Sequence, residues 1–119
     1  MTRRAPPDDI SPEEFFTRWI PEMVALDDER RRKLGGTEAT IVFSFIEIEH
    51  CDYTIFVEAG AVRGEAVSHT EPDLRVQVDI ETWRCLNRGD LSAPEAALKR
   101  RVKLEGDLLL ALKLHLILG

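Results

Sequence analysis

The last segment of the chain, residues 108–118, is apolar on two sides of a helix and so constrains the fold most strongly. At 3.6 residues per turn its aliphatic side chains fall into two nearly opposite stripes. One stripe holds Leu108, Leu109, Leu112 and Leu116, and the other holds Leu110, Leu114, Ile117 and Leu118. Lys113 and His115 mark the boundaries between them. A helix that lies on a sheet needs one apolar stripe, so the second stripe must meet something else.

Exposure of the second stripe to water is the arrangement we expect least. Four such side chains would forgo roughly 6–12 kcal/mol of burial free energy, as much as the whole stability of an ordinary domain. Three kinds of cover are open: the aromatic residues of an amino-terminal helix, a second copy of the chain, or an apolar ligand in a cavity between sheet and helices. The residues proposed for the first kind of cover are Phe15, Phe16, Trp19 and Ile20. The pattern alone does not choose among the three.

Length and charge narrow the class of protein. The chain has 119 residues, which fits one domain. Its net charge of −6 and pI near 5.1 are opposite in sign to what a phosphate backbone attracts, so we expect no nucleic-acid partner. The longest apolar run is too short to cross a bilayer, and the first residues lack the apolar core of an export signal. We therefore predict a cytoplasmic protein.

Helix signals divide the chain into a lead-in and one domain. Residues 1–10 are polar and contain Pro6 and Pro7, so we predict a flexible segment followed by a single domain over residues 11–119. Ser11 begins a capping box, which predicts a helix that Pro21 interrupts. A second helix is expected over residues 22–34, ending at a Gly-Gly pair.

Alternating and β-branched patterns predict five strands, at residues 40–49, 52–58, 62–67, 73–80 and 101–105. Asp79 and Ser92 are the expected N-caps of two short helices before the fifth strand. The order of elements predicts an α+β fold: a five-stranded, mixed and mostly antiparallel sheet with helices packed on one face.

Catalytic signals are weak throughout the sequence. His50, Cys51 and Asp52 are adjacent, but consecutive strand residues point to opposite faces, so we expect no metal site. His69 and His115 stand apart from any nucleophile pattern, and there is no glycine-rich phosphate loop. We therefore predict a non-enzyme without a cofactor.

From residue 71 onward the sequence resembles the sterol carrier protein type 2 family. The features that carry the resemblance are Pro72, Asp73, Asp79, Trp83, Leu86, Gly89, Asp90, Leu91, Pro94, Ala97, Val102, Leu104, Gly106, Asp107, Leu112 and Leu116. The first half of the chain is consistent with that family but much less diagnostic. Many members have a glycine just before the fifth strand, where this chain has Arg100 and Arg101.

The resemblance implies an apolar tunnel between sheet and helices that binds a fatty acid, acyl chain or sterol-like lipid, in a carrier or lipid-presenting accessory protein. The expected tunnel walls are Phe43, Phe45, Val76, Val78, Trp83, Leu86, Leu91, Ala97, Leu98, Leu108, Leu109, Leu112 and Leu116. Arg100 or Arg101 would hold a headgroup. The basic cluster could instead only complement the helix dipole, or it could dock on an anionic membrane.

The alternative function is an interaction module with a filled core. In that case the extra apolar stripe forms a homodimer or docks on a lipid or quinone biosynthetic enzyme.

Overall fold

A computed structural model describes residues 6–48 and 51–118, apart from the side chains of His115 and Leu118. The helices are α1 (Pro12–Glu14), α2 (Ile20–Ala25), α3 (Asp28–Leu34), α4 (Ile80–Arg88), α5 (Ala93–Leu98), α6 (Leu108–Ala111) and α7 (Leu114–Leu118). A π-helical turn, Phe15–Trp19, joins α1 to α2. The strands are β1 (Ala39–Phe45), β2 (Asp52–Glu58), β3 (Ala61–Glu65), β4 (Leu74–Val78) and β5 (Val102–Gly106).

The five strands form one sheet in the order β3-β2-β1-β4-β5. β1 and β4 run parallel, and the other three neighbouring pairs are antiparallel. This confirms the predicted mixed α+β architecture, with β1 at the centre, as its apolar side chains on both faces indicated. The helix-facing side chains of β1, β2 and β4 form the core with Phe15, Phe16 and Ile20.

The opposite face of the sheet is covered by the loop that crosses from β3 to β4. The Thr54 hydroxyl donates to the Val67 carbonyl at 2.6 Å, and the Arg75 guanidinium donates to the His69 carbonyl at 3.3 Å. Val42 and Thr54 are fully buried beneath this loop. The sheet is therefore shielded by helices on one face and by a loop on the other.

Helix caps agree with the sequence. Ser11, Asp79 and Ser92 each accept a backbone amide at the start of their helices, and Gly89 ends α4 in the left-handed conformation. Asp27 likewise caps α3. These local signals were readable because a cap depends on neighbouring residues only.

Pro21 does not interrupt the first helix, contrary to our expectation. In the π turn just before it, the Ile20 amide bonds to the Phe15 carbonyl five residues back. Proline removes one amide donor from the helix, and the wider turn changes the pairing around that position. The helix therefore continues to Ala25, and the second helix begins at Asp28 rather than residue 22.

Other boundaries also differ from the prediction. Residues 46–48 form a turn rather than the end of β1, and positions 49 and 50 lie outside the described residues. Ile10, which we assigned to the lead-in, is buried in the core, and the Arg84 guanidinium donates to its carbonyl at 3.2 Å. Of the predicted flexible segment, residues 1–5 lie outside the described residues.

The expected continuous helix over residues 108–118 is broken into α6 and α7. Asp107 caps α6, and at Leu112 and Lys113 the amides bond to carbonyls three residues back. The Lys113 ammonium donates to the Thr37 hydroxyl at 2.9 Å. The break turns Leu116 and Ile117 into the core while the first turn of the segment lies on β4 and β5.

Candidate functional site

The residues predicted to wall a tunnel divide into an interior group and a surface group. Phe43, Phe45, Val76, Val78, Trp83, Leu91 and Leu116 are buried, and Leu86 is half-buried. Ala97, Leu98, Leu108, Leu109 and Leu112 are exposed. The structure therefore does not bring the thirteen together around one space, and the tunnel stays a prediction.

The interior group packs against aromatic residues of the first helix. The ring centroid of Phe16 lies 4.8 Å from that of Phe43 and 5.3 Å from that of Tyr53. Trp83 makes edge contacts with Phe15 at 5.3 Å and with Phe45 at 5.6 Å. The amino-terminal aromatics thus occupy the space above the centre of the sheet, whereas the helices that contact α7 are α2 and α3.

Trp83 carries a polar atom into this apolar cluster. Its indole Nε1 is buried and has no hydrogen-bond partner among the described residues. A buried donor without a partner costs on the order of 1–3 kcal/mol, so such groups are uncommon. Within the cluster, this N–H is a donor that an oxygen atom could satisfy.

The helical cover ends at β5. Val76 and Val78 of β4 are buried, but Leu104 and Val102, which lie directly opposite them on β5, are only half-buried. All four side chains face the helices, so the difference in burial does not come from their orientation. It arises because the helices cover β5 less completely than β4. We call the half-buried pair Val102 and Leu104 the open edge of the core.

Exposed leucines border the open edge. Leu98 ends α5, which packs on β5, while Leu108, Leu109 and Leu112 belong to α6 and the turn after it, which pack on β4 and β5. Our expectation that both apolar stripes of the terminal segment would be covered is wrong for these three leucines. Burial would add stability, but an exposed leucine is exposed in the unfolded chain as well, so the fold loses nothing by leaving it in water.

Arg100 and Arg101, the predicted headgroup pair, have different environments. The Arg101 Nε donates to the Thr82 hydroxyl at 3.0 Å, so this side chain is tied to α4. Arg100 is exposed and adopts a left-handed backbone with φ of 58°. It occupies the conformation that glycine adopts most easily, two residues before the fifth strand begins. Only Arg100 is thus free to turn toward a ligand.

The Arg101 contact belongs to a small polar network at the start of α4. Burial alone would raise the pKa of Asp79, but hydrogen bonds from the Thr82 hydroxyl and amide, with the positive charge of Arg101, lower it below its ordinary value. The network holds the Arg101 side chain against α4 and so connects α4 to the residue just before β5.

A separate cleft of about 490 Å3 lies at the other side of the molecule. It is lined by Pro21, Val24, Ala25, Arg31, Arg32, Gly35, Ala59, Gly60, Ala61 and Val62. Sequence reasoning missed this cleft, because it depends on α3 lying against the β2–β3 turn, which is a long-range contact. It shares no residue with the predicted tunnel.

The remaining chemical candidates do not converge. In residues 6–48 and 51–118 no three His, Cys, Asp or Glu side chains are placed to hold a metal ion together. His50 lies outside the described residues, as does the side chain of His115. The Cys51 thiol lies 3.7 Å from the Tyr53 hydroxyl. Within the described part of the chain, no helix has the length and apolar character to span a bilayer.

Comparison with known proteins gives one family match. Residues 20–119 match the SCP-2 sterol transfer family. No curated protein matches the chain.

Solved structures share the fold at low sequence identity. A sec-alkylsulfatase, PisA1, in a double-mutant form, is 22% identical with a TM-score of 0.74; the alignment covers 94% of this chain but 17% of that one. Palmitated SCP2L2 from Aedes aegypti is 19% identical with a TM-score of 0.66, covering 85% of this chain and 88% of that one. A ubiquinone synthesis protein, UbiJ-SCP2, is 13% identical with a TM-score of 0.61, covering 92% and 94%.

Proposed function

The chain belongs to the SCP-2 sterol transfer family, and from this premise we propose that it binds a single lipid, such as a fatty acid or sterol-like molecule, as a carrier or lipid-presenting accessory protein. The open edge of the core is the observation that carries the proposal. There the apolar interior reaches the surface, between half-buried strand residues and exposed leucines. We propose carriage without catalysis, in the cytoplasm.

The lipid tail would enter at β5 and lie against the interior group. Val102 and Leu104 form the rim, and the buried valines of β4 lie next to them in register. Entry requires α6 to move away from the sheet. This helix has one turn, Leu108–Ala111, and of its side chains Leu110 is buried. A one-turn helix anchored by Leu110 and the half-buried Ala111 opens at lower cost than the aromatic cluster does.

Two polar groups suit the head of such a lipid. The unpaired indole N–H of Trp83 offers a donor inside the apolar cluster. Arg100, exposed before β5, offers a charge at the surface. A fatty-acid carboxylate would pair with the guanidinium, whereas a hydroxyl or carbonyl carried deeper would accept from the indole. The palmitated Aedes aegypti relative, which shares the fold, supports an acyl chain as one ligand class.

Native mass spectrometry of gently purified protein tests the proposal. We expect a one-to-one adduct with the mass of a lipid, and uptake of a fluorescent fatty acid by the delipidated protein at micromolar concentration. Protein that carries no lipid and takes up none of the probe would contradict the proposal.

Matched substitutions then test the position of the site. Leu104→Asn should weaken fatty-acid uptake about tenfold, because it places an amide at the rim that an acyl chain must pass. Val62→Asn is the control, since Val62 is also a half-buried, core-contacting residue on an edge strand, but on β3. Equal losses in both variants would argue against entry at β5.

The second candidate is an interaction module without a lipid. The aromatic filling of the core by Phe15 and Phe16 favours it, because a filled core needs no guest. Under this alternative the exposed leucines would be buried by a protein. A delipidated protein that is fully stable, takes up no lipid and self-associates in sedimentation would support this candidate over the first.

A further inference from the structure

Four large apolar side chains flank β5 and face water. The exposed fractions are 85% for Leu98, 61% for Leu108, 76% for Leu109 and 71% for Leu112. We call these four residues the leucine surface. They come from α5 and from α6 with its following turn, the two elements that pack on β5. Single exposed leucines are common, but four on the two helices that pack on one edge strand mark this edge as a candidate contact surface.

The chain around this surface has the opposite charge to the rest of the protein. From residue 95 to residue 113 there are five basic and three acidic residues, a net charge of +2. The other residues carry 11 basic and 19 acidic side chains, a net charge of −8. A positive segment on a strongly acidic protein would orient it toward an anionic partner.

Contacts within the protein hold four of the five basic side chains of this segment, and within the described part of the chain Arg100 is the one without an ion pair or a side-chain hydrogen bond. The Lys99 ammonium lies 3.1 Å from a Glu95 carboxylate oxygen, and that of Lys103 lies 3.2 Å from a Glu105 oxygen. The Arg101 guanidinium donates to the Thr82 hydroxyl and the Lys113 ammonium to the Thr37 hydroxyl, and neither hydroxyl neutralises the charge. Asp107 is the third acidic residue of the segment. Its carboxylate accepts hydrogen bonds from the amides of Leu109 and Leu110, so it caps α6 rather than pairing with a basic side chain.

We propose that the leucine surface docks on an anionic lipid bilayer, with the leucines in the interfacial region and the basic side chains among the headgroups. This inference rests on the proposed function, because it places the open edge of the core against the source of the lipid. Exposed leucines beside lysine and arginine are the combination that binds anionic membrane surfaces. A second copy of the chain fits less well, since it would bring two positive segments together.

Vesicle flotation tests the docking. We expect the wild-type protein to float with vesicles of phosphatidylcholine and phosphatidylglycerol, to bind vesicles of phosphatidylcholine alone at least tenfold more weakly, and to dissociate as salt is raised. The double variant Leu109→Asn, Leu112→Asn should lose at least tenfold in binding to the anionic vesicles. Because both leucines are exposed, circular dichroism should show an unchanged fold.

Leu26→Asn is the matched control. Leu26 is 73% exposed, but its neighbours Glu22, Asp27 and Asp28 are acidic. The Leu26→Asn variant should bind anionic vesicles as tightly as the wild-type protein does. Wild-type protein that fails to float, a double variant that floats equally well, or an equal loss in Leu26→Asn would each overturn the docking.

The vesicle experiment separates docking from lipid binding. Uptake of a fluorescent fatty acid is measured in parallel without vesicles. Uptake without flotation overturns the docking alone, whereas flotation without uptake supports the docking and contradicts the proposed function. A reversible dimer in sedimentation that the double variant abolishes, with no flotation of the wild type, would assign the leucine surface to self-association and overturn the membrane proposal.

Discussion

The two edges of the sheet are built differently, although both belong to one core. At β3 the first helix lies so close that a Cβ on Gly64 would overlap the Phe16 carbonyl. At β5 the helix-facing side chains Val102 and Leu104 are half-buried and bordered by exposed leucines. At Gly64 the β3 edge is closed by backbone packed on backbone, although Val62 on the same strand is half-buried and lines the cleft described above. The β5 edge is covered by short helices with few anchors. The two edges thus differ in the kind of cover: we call the Gly64 contact the sealed edge and expect the core to open more readily at β5.

The largest effect is expected at the sealed edge. Gly64→Ala should lower the free energy of unfolding by about 3 kcal/mol, because the methyl group and the Phe16 carbonyl cannot occupy the same space. Urea denaturation measures this. Gly36→Ala is the control, since a Cβ there meets nothing within 4 Å, and it should change stability by less than about 0.5 kcal/mol. Equal stability of both variants would mean that the β3 edge is not sealed as described.

Two valines that lie opposite each other on neighbouring strands allow a direct comparison of the interior with the open edge. Val78 and Val102 lie opposite each other on β4 and β5, but Val78 is buried and Val102 half-buried. Val78→Ala should cost about 2 kcal/mol and Val102→Ala about 1 kcal/mol in urea denaturation, because less apolar area is lost from a half-buried site. The comparison would fail if Val102→Ala cost as much as Val78→Ala.

Each edge also carries a non-glycine residue in the left-handed region. Ala59, in the β2–β3 turn, has φ of 52°, and Arg100, before β5, has φ of 58°. Ala59→Gly and Arg100→Gly should each raise the free energy of unfolding by about 0.5–1 kcal/mol, since glycine adopts this conformation without a Cβ clash. Thermal denaturation measures both.

Ligand affinity then separates the two glycine variants. Only Arg100→Gly should weaken fatty-acid binding, because only it removes a charge next to the open edge. Equal affinity for the fatty acid in both variants would exclude Arg100 as the headgroup partner.

A pH dependence is expected on β2, where Tyr53 stacks on Phe16. Burial, with the neighbouring Cys51 thiol, raises the pKa of Tyr53 to about 12. Between pH 10 and pH 12 the unfolded chain loses the phenolic proton while the folded protein keeps it, so stability falls as pH rises through this window. Tyr53→Phe should show a shallower fall in urea denaturation above pH 10. Parallel curves for the two proteins would contradict the assignment.

Local chemistry explains which parts of the fold the sequence predicted. The caps at Ser11, Asp79 and Ser92 depend on a few adjacent residues, and the central position of β1 followed from apolar side chains on both faces. The sealed edge could not be predicted, because the meeting of Gly64 with Phe16 joins positions far apart in the chain.

The structure brings together only some of the residues predicted to wall a tunnel. Phe43, Val76 and Trp83 are buried in one cluster, whereas Leu109 and Leu112 lie outside it, and the ligand contacts of all five stay a prediction. A helical wheel assumes an unbroken helix, and the turn at Leu112 and Lys113 breaks that assumption. The Lys113 contact with Thr37, which lies near that turn, is long-range and gave no signal in the sequence.

The most direct test of the account is backbone hydrogen exchange of the delipidated protein, with and without a fatty acid below its critical micelle concentration. We predict slower exchange on binding in residues 98–113, around β5, and unchanged exchange in residues 58–65, around β3. Exchange that is unchanged at β5, or slowed at β3 instead, would contradict the claim that lipid enters through the open edge.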